Sequence, residues 1–545
     1  MANTRVFGSV RGQRTLPTNT KNLAGGRAYQ LSPEQALAQL AVTGCFGDTF
    51  YASAESQLAE TLEIAGKCSE EYVAKTALYA RERGFMKDMP AVLLAHLASR
   101  GEAGVRLVGV LFPHVIDNGK MLRNFVQVIR SGVTGRKSFG TALKRYIRTW
   151  LAARPAEQLF RDSVGNDPSI ADVLKMVHPS PRDAAQQALF GYLIGAKADG
   201  ENGRKGYKPD WLPQLVKDFE AFKRDRTREL PDVPFQMLDS TGGLDKAGWT
   251  AVAQKGRWQM TRMNLANFQK AGVFEDPAMV KLVADRLADQ ANVVAARAFP
   301  YQLLMAYKHV GGTVPGAIAE ALQIAMEHAI ANVPSLAGKV VLCPDVSGSM
   351  ASPITGVRGH TSQVRCVDVA GLVTAALLRR NTLARVIPFE TDVVRLHINP
   401  RDSVMTIADQ IAAVGGGGTT VSAPLALLNK EKADVDMVII VSDDQSWVET
   451  AREVRSAHER TMYEQMYGRG TVVMEEWNAL KVRCPKAKMV TLDLTPNTAA
   501  QSTPREDILR VGGFSDQVFD ILALFADAKS GKDHWVDVIQ GIALP

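Results

Sequence analysis

The chain has 545 residues, too many for one ordinary domain, and its length alone predicts about three or four domains. Hydrophobic residues make up 46% and charged residues 22%, so there is enough apolar material for sizeable cores. No stretch of about 18 consecutive apolar residues is present, and no membrane span is therefore expected. The formal net charge of +7 favours an acidic partner such as RNA or DNA.

The five cysteines are scattered along the chain and form no Cys-x-x-Cys pair. They therefore indicate neither a zinc site nor a disulfide framework. The N-terminal stretch MANTRVFGSVRGQRT has no apolar segment of the kind found in signal peptides. Reduced thiols suit a cytoplasmic protein, which is the location we expect.

Residues 1–31 are polar, basic and rich in glycine, and they are predicted to form an extended arm. From residue 32 to residue 336 the pattern is helical almost throughout, with Ser32 as the first N-cap and Pro33 at the first helical position. Apolar residues recur three and four positions apart, as in EEYVAKTALYARERG. Pairs of helices joined by short turns suggest an array of HEAT-like repeats, with an irregular bundle as the alternative.

The pattern changes at residue 337, where a domain that extends to residue 545 is predicted to begin. Strands are predicted at KVVLCPDV, LARVIPFE, VVRLHIN, DMVIIVSDD and KMVTLDL. Helices are predicted at SQVRCVDVAGLVTAALLRR, VMTIADQIAAV, residues 424–430 and DQVFDILALFAD. Strands that alternate with helices predict a doubly wound α/β domain with a mostly parallel sheet covered on both faces.

Oxygen-bearing side chains stand in three loops of this domain. They are Asp345, Ser347 and Ser349 in the first loop, Thr419 in the second and Asp443 in the third. In open α/β sheets, binding sites lie just beyond the carboxyl ends of the strands. Hydroxyls with few carboxylates suit a hard cation that keeps some of its water, Mg²⁺ first, with Ca²⁺ and Mn²⁺ as alternatives. DxSxS alone is equally compatible with a turn whose serines bond their own backbone.

DxSxS after a strand, then GGT, then an apolar strand ending in SD resembles the von Willebrand factor A domain and its metal-ion-dependent adhesion site. The resemblance implies that all five residues coordinate the metal. It also implies that the metal keeps one position open for an acidic group of a ligand. A nucleophilic serine is the competing interpretation, but His360, the closest histidine in sequence, belongs to no catalytic motif.

Residues 118–156 contain no acidic residue. The basic side chains of this run are Lys120, Arg123, Arg130, Arg136, Lys137, Lys144, Arg145, Arg148 and Arg154. Long basic residues often solvate a helix face, but most solvated helices alternate charges of both signs. The run therefore favours phosphate binding.

Two further segments, GTALKRYIRTWL and DPSIADVLKMVHPSP, resemble the TROVE module of the Ro autoantigen family. RVGGFSDQVFDIL, near the C-terminus, resembles the closing segment of that family. A TROVE array followed by an A-type domain is the order found in the family, so the resemblance covers nearly the whole chain.

The resemblance implies a ring of helical repeats closed by the A-type domain. Such rings bind small structured Y RNAs on the outer surface and pass single-stranded 3′ ends of misfolded RNAs through a basic hole. His178 matches a family histidine involved in Y RNA binding and Arg161 matches a basic contact position, whereas Gly165 stands where a second basic residue is expected. Without the resemblance, His178 would be interpreted as a cap at a helix end.

We therefore expect a monomeric, non-enzymatic scaffold that binds small noncoding RNA and acts in RNA quality control or processing. An exoribonuclease is a candidate protein partner, and neither DNA nor a membrane is expected. The alternative is a metal-dependent protein-binding module in which the helical half is a spacer. A metal-dependent nuclease or phosphatase would need a carboxylate cluster for two metals, or a base, and neither is visible.

Overall fold

The computed structural model contains two compact units. The α/β unit comprises Met1–Ile64, Ala288–Gly311 and Ala319–Gly541, and the helical unit comprises Ala65–Leu287, Gly312–Ile318 and Ile542–Pro545. The structure describes residues 18–43, 54–84, 86–199, 206–225, 228–240, 243–296, 298, 300–310, 312–330, 333–354, 364–446, 470–495, 498–503, 505–512, 517–526 and 534–545. Most of the predicted arm and His360 lie outside the described residues.

The predicted helical region is confirmed. Its helices are α1 (Pro33–Thr43), α2 (Ala54–Lys67), α3 (Glu70–Glu82), α4 (Asp88–Ala98), α5 (Gly101–Val115), α6 (Gly119–Ser131), α7 (Gly140–Ala153), α8 (Ala156–Asp162), α9 (Ile170–Val177), α10 (Ala184–Leu193), α11 (Gln214–Arg224), α12 (Phe235–Asp239), α13 (Lys246–Lys255), α14 (Trp258–Met263), α15 (Leu265–Lys270), α16 (Pro277–Ala288), α17 (Gln290–Ala295), α18 (Pro300–Val310) and α19 (Gly316–Ala329). Within the described residues, no helix is both long and apolar enough to cross a membrane.

Several of the long amphipathic stretches are divided in the structure. The stretch MPAVLLAHLASRGEAGVRLVGVLFPHV forms two helices because Gly101 adopts a φ of +79°, which interrupts the helix between α4 and α5. α9 ends at His178, which has a φ of +50° and donates its backbone N–H to the carbonyl of Leu174 at 2.9 Å. His178 is thus the C-cap that its position predicts without any family resemblance.

The described strands are β1 (Thr20–Lys21), β2 (Arg27–Gln30), β3 (Val340–Pro344), β4 (Arg385–Val386), β5 (Met437–Ser442), β6 (Lys488–Asp493), β7 (Ala499–Ala500) and β8 (Ile508–Gly512). Five of them form a parallel sheet in the order β4-β3-β5-β6-β8. The helices that follow β3 are α20 (Cys366–Arg380), α21 (Val404–Ala412), α22 (Ala423–Lys430), α23 (Val472–Arg483), α24 (Gln517–Ala526) and α25 (His534–Gln540). The predicted α/β fold with a parallel sheet is confirmed.

Two strand predictions differ from the structure. VVRLHIN is not a strand, because among the described residues its only β-bridge joins Val393 to Phe389. LARVIPFE is a strand only at Arg385–Val386. β8 was not predicted, because its short apolar run ILRVG is interrupted by Arg510. Two-residue strands such as β7 leave no periodic signal in the sequence.

The buried core of the α/β unit holds the sheet edge that carries the predicted metal loops. Val341 and Cys343 of β3 pack with Val438 and Ile440 of β5 in a cluster that includes the fully buried Trp477 of α23. α20 also packs against β3 and β5. Because the strands are rigidly held by these helices, the loops at their carboxyl ends start from fixed positions.

Candidate metal centre and nucleic-acid surface

The first predicted metal loop begins where β3 leaves the sheet. The N–H of Asp345 donates to the carbonyl of Val441 at 2.8 Å, and the N–H of Val346 donates to the carbonyl of Phe389 at 2.8 Å. Asp345 is therefore held between the end of β5 and the segment that follows β4. This places its carboxylate at the carboxyl edge of the sheet, as the sequence predicts.

Hydrogen bonds join four of the five predicted metal residues. The carboxylate of Asp345 accepts the N–H of Ser347 at 2.8 Å and the hydroxyl of Ser442 at 2.5 Å. The hydroxyls of Ser347 and Ser349 lie 3.3 Å apart, and Ser349 also hydrogen-bonds the carboxylate of Asp443. The first and third loops thus present their oxygens to one small volume.

The glycine run 415–418 brings the second loop against the first. The N–H of Gly416 donates to the carbonyl of Val346, and the N–H of Gly348 donates to the carbonyl of Gly417, each at 2.8 Å. Gly415 has a φ of +90°, and a Cβ at this position would lie 2.2 Å from the carbonyl oxygen of Val346. Only glycine fits here, and the second loop, which continues into the buried Thr419, is thereby held against the first loop.

The charges at this edge of the sheet are unbalanced. Asp345, Asp443, Asp444 and Asp493 are all buried, with exposures of 0%, 2%, 4% and 3%. The buried guanidinium of Arg510 acts electrostatically on Asp444 and Asp493. Four carboxylates near one guanidinium would leave an excess of buried negative charge if all were ionised.

Burial is the main cause of the raised pKa values in this group. It raises the pKa of Asp345 to about 7, with the neighbouring Asp443 as a second cause. It also raises the pKa of Asp443, takes the pKa of Asp444 to about 6, and takes that of Asp493 well above its ordinary value. Each carboxyl group resists ionisation because burial disfavours its charged form.

These side chains fit a hard divalent cation. The excess negative charge calls for a cation, and the hydroxyls of Ser347, Ser349 and Thr419 are ligands that Mg²⁺ accepts. The hydroxyl of the buried Thr420, next to Thr419, has no hydrogen-bond partner among the described residues. No cluster of three or more His, Cys, Asp or Glu residues suited to a metal occurs in the described ranges. A cation at this place would therefore depend on hydroxyls as much as on carboxylates.

In the helical unit, several side chains of the basic run are used inside the fold. The guanidinium of Arg136 donates to the carbonyls of Ala98, Ser138 and Phe139 at 2.7, 2.7 and 2.9 Å. Arg154 lies 3.3 Å from the ring centre of Trp150 and donates to the carbonyl of Asp117. These cations hold helix ends in place, so the run is not uniformly available to phosphates.

Gly165 has a structural explanation. It adopts a φ of +101°, and a Cβ there would lie 2.3 Å from the guanidinium of Arg123. Arg123 is half-buried, and Asp162 acts on it electrostatically. A guanidinium therefore already occupies the space beside the position where the family resemblance led us to expect a basic residue.

Other cations of the run are exposed, and two of them, Arg130 and Arg148, interact with residues of α9. We define the basic face as Arg130 on α6, Arg145 and Arg148 on α7, and Lys175 and His178 at the C-terminal end of α9. Arg148 donates to the carbonyl of Val177, beside His178, and both Arg130 and Lys175 act electrostatically on Asp172. None of the four lysine and arginine side chains of the basic face forms an ion pair with another described residue. Lys175 was not predicted, because it follows the acid-free run in sequence.

The remaining predicted RNA contacts differ in their surroundings. Lys120 and Lys137 are exposed, and Lys144 is partly buried. Arg161 forms an ion pair with Asp232 at 2.9 Å and lies 4.0 Å from Glu157. It lines an open cavity of about 790 Å³ together with both acids. A phosphate would have to compete with these carboxylates for the guanidinium of Arg161.

Two family models match the chain. The TROVE domain matches residues 234–352, and the Ro60 vWA domain matches residues 339–466. The second match contains all five predicted metal residues. The first lies C-terminal to the two segments, between residues 140 and 181, that resemble the TROVE module.

Two relatives align with most of the chain or with a third of it. The RNA-binding protein RO60 of Deinococcus radiodurans is 26% identical over 542 residues, which is 93% of this chain and 95% of that protein. RNA-binding protein RO60 of Caenorhabditis elegans is 25% identical over 200 residues, 34% of this chain and 30% of that protein. The crystal structure of the Deinococcus radiodurans RO (RSR) protein matches with a TM-score of 0.61 at 21% identity, covering 91% of this chain and 100% of that chain. The two chains therefore share a fold.

Replacing Asp345 by asparagine should stabilise the metal-free protein at pH 8. The folded-state pKa of about 7 lies above the ordinary value of 3.8, so the cost of the buried charge is fully present above pH 7 and is lost gradually as the pH falls from 7 towards 3.8. The gain should reach at most about 4 kcal/mol at pH 8, fall to about half of that by about pH 5.5, and disappear only near pH 4. Thermal unfolding in EDTA at these pH values, followed by circular dichroism, measures it.

The same measurement with Mg²⁺ provides the control. Mg²⁺ should raise the unfolding temperature of the wild type and leave that of Asp345→Asn almost unchanged. A variant that is less stable than the wild type in EDTA at pH 8 would show that the hydrogen bonds of the carboxylate outweigh the cost of its burial.

Proposed function

Because the chain belongs to the Ro family, we propose that it is an RNA-binding scaffold that holds small noncoding RNA and carries out no reaction itself. The observation that carries the proposal is the basic face, whose four lysine and arginine side chains are exposed and form no ion pair with a described acid. Such cations are the groups that phosphates bind. The named relatives of the chain are described as RNA-binding proteins, which agrees with this assignment.

The arrangement of the basic face favours a folded RNA. Arg145 and Arg148 lie three residues apart on one side of α7, and Lys175 and His178 are spaced in the same way at the end of α9. Two adjacent pairs of donors match the phosphates of a helical backbone better than they match individual bases. We therefore assign a small structured, Y-like RNA to this face, with specificity set mainly by RNA shape.

A second class of RNA is assigned to a different surface. The family resemblance implies that single-stranded 3′ ends of misfolded RNAs enter a hole in the ring of helices. Lys120, Lys137 and Lys144, which are not part of the basic face, are the candidates from the acid-free run for contacts with such an end. Binding there would be driven by charge and stacking and would have limited sequence preference.

We also propose that Asp345, Ser347, Ser349, Thr419 and Asp443 bind a divalent cation, Mg²⁺ first. When bound, the cation would neutralise the buried carboxylates and leave a position for an acidic group. The protein residues orient the ligand oxygens and fix the three loops together. We assign this centre to a protein partner that supplies a carboxylate, an exoribonuclease being one candidate, rather than to RNA.

Removing the charges of the basic face should weaken RNA binding and reduce its salt dependence. The variant is Arg130→Ala, Arg145→Ala and Lys175→Ala, which leaves the internal hydrogen bond of Arg148 intact. Each lost phosphate contact should lower the slope of log K against log salt by about 0.9. Filter binding of a structured small RNA between about 50 and 200 mM salt measures both quantities.

The matched control removes three exposed cations that are already ion-paired. Arg106, Lys246 and Lys281 pair with Glu102, Glu275 and Asp285, so their replacement by alanine changes the net charge equally. This control should keep most of the wild-type slope. Equal losses in both triple variants would mean that net charge, rather than the basic face, determines RNA binding.

The metal centre should not be needed for RNA binding. Asp345→Ala combined with Ser347→Ala should abolish metal binding, yet RNA affinity should stay within about threefold, or roughly 0.7 kcal/mol, because the basic face belongs to the helical unit. The measurement is RNA affinity at one salt concentration, with and without Mg²⁺. A folded double variant that no longer binds RNA would contradict this assignment.

His178 and Arg161 should contribute unequally, and mainly to the structured RNA. His178→Ala should lower the affinity for the structured RNA by a few-fold, since the side chain of His178 is exposed at the end of α9. Arg161→Ala should lower this affinity less, because Arg161 can bind a phosphate only after its ion pair with Asp232 is broken. A duplex with a single-stranded 3′ tail should lose less affinity than the structured RNA in both variants. Competitive binding of the two RNAs tests this, and equal losses would indicate one shared site.

A further inference from the structure

The N-terminal segment, residues 19–30, lies beside the third metal loop. β1 pairs with β2 in antiparallel fashion, and β2 pairs with β7 through Tyr29–Ala500 and Gln30–Ala499. These two ladders hold the segment on the α/β unit. The segment is part of the region in which the sequence predicts an arm, but here it is folded against the loop that follows β5.

Asn22 makes the central contact between the segment and this loop. Its Nδ2 donates to the carbonyl of Ser446 at 2.9 Å, and its Oδ1 accepts the N–H of Gly26 at 2.7 Å. Asn22 is only 6% exposed, although its neighbours Lys21 and Leu23 are exposed. Its amide thus closes the turn of the segment and ties that turn to residue 446.

Gly26 allows the two backbones to approach closely. A Cβ at this position would lie 2.0 Å from the carbonyl oxygen of Ser446, a distance that no side chain can adopt without displacing backbone. A second contact follows, because the N–H of Leu23 donates to Oε1 of Gln445 at 2.9 Å. The segment therefore contacts both residues 445 and 446 at fixed positions.

The same two residues contact the candidate metal ligands. Gln445 donates its N–H to Oδ1 of Asp443 at 3.3 Å and its side-chain amide to the carbonyl of Asp443 at 3.1 Å. The hydroxyl of Ser446 donates to the carbonyl of Thr419 at 3.4 Å and accepts the N–H of Val421 at 3.3 Å. Two short chains of contacts thus lead from the N-terminal segment to ligands in the second and third metal loops.

Gln501 makes a third connection, between the N-terminal segment and the buried Asp444. The backbone N–H of Gln501 donates to the carboxylate of Asp444 at 3.0 Å, while its side-chain amide donates to the carbonyl of Arg27 at 3.0 Å. Gln501 is 2% exposed. The segment is therefore connected to the acid cluster through three separate residues of the α/β unit: Gln445, Ser446 and Gln501.

We propose that the N-terminal segment is a wall of the metal centre and that Asn22 is a positioning residue for Asp443 and Thr419. Cation binding and docking of the segment then strengthen each other, since each favours the same arrangement of the two loops. The inference rests on the proposed metal centre, but it assigns a role to residues that belong to neither the acid cluster nor the metal loops.

The test compares the Mn²⁺ affinity of three full-length proteins, measured from the electron paramagnetic resonance signal of free Mn²⁺. Asn22→Ala removes both side-chain hydrogen bonds and should weaken Mn²⁺ binding by about three- to tenfold. Leu23→Ala is the matched control, because its exposed side chain is lost while its backbone N–H remains, and its affinity should stay within about twofold of wild type. Thermal unfolding in EDTA checks that all three proteins are folded.

A second readout follows the segment itself. Trypsin cleavage after Lys21 and Arg27 should be slowed by Mn²⁺ in the wild type, and this protection should be much smaller in Asn22→Ala. Unchanged Mn²⁺ affinity in Asn22→Ala, or cleavage that does not respond to Mn²⁺ in a wild type that binds it, would overturn the inference and leave the metal centre standing. A wild type that binds no Mn²⁺ would overturn the metal centre and the inference with it.

Discussion

The burial of several carboxylates at one edge of a parallel sheet is the constraint on which the α/β unit depends. A buried charge is costly unless it is compensated, and of the four buried aspartates at the ends of β3, β5 and β6, Asp444 and Asp493 interact with the guanidinium of Arg510. The protein meets part of this cost with hydrogen bonds from Ser442, Ser347 and the backbone of Gln501. A divalent cation would meet the rest, and this is why the three loops are interpreted as one centre.

Close backbone contacts set the positions of the second and third metal loops. Gly415 lets the second loop approach the first, and Gly26 lets the N-terminal segment approach the third. Neither contact involves a charged group, yet each determines where a ligand oxygen lies. The proposed RNA binding depends on the opposite condition, because the lysine and arginine side chains of the basic face are exposed and form no ion pair with a described acid. The two proposed activities therefore use different physical principles and different units of the chain.

The sequence allowed the α/β fold and the metal loops to be predicted, because an apolar run that ends in an aspartate is a local pattern. For the basic run, the sequence predicted the charges but not which of them are exposed. Its charges could be counted, but the sequence does not show that Arg136 is bound to three carbonyls whereas Lys175, outside the run, is exposed beside His178. The contact between Asn22 and Ser446 joins residues 424 positions apart and leaves no local signal. VVRLHIN has the alternation of a strand, but in the part of the chain that the structure describes it forms a single β-bridge.

The central claim is that the basic face of the helical unit, and not the metal centre, holds a structured RNA. Ultraviolet crosslinking of the full-length protein to a small structured RNA, followed by mass spectrometry of the crosslinked peptides, tests it most directly. We predict crosslinks in peptides from α6, α7 and α9, around residues 130, 145–148 and 175–178, with the same pattern in Mg²⁺ and in EDTA. Crosslinks concentrated at residues 345–349 or 443–446, or lost when Mg²⁺ is removed, would contradict the account.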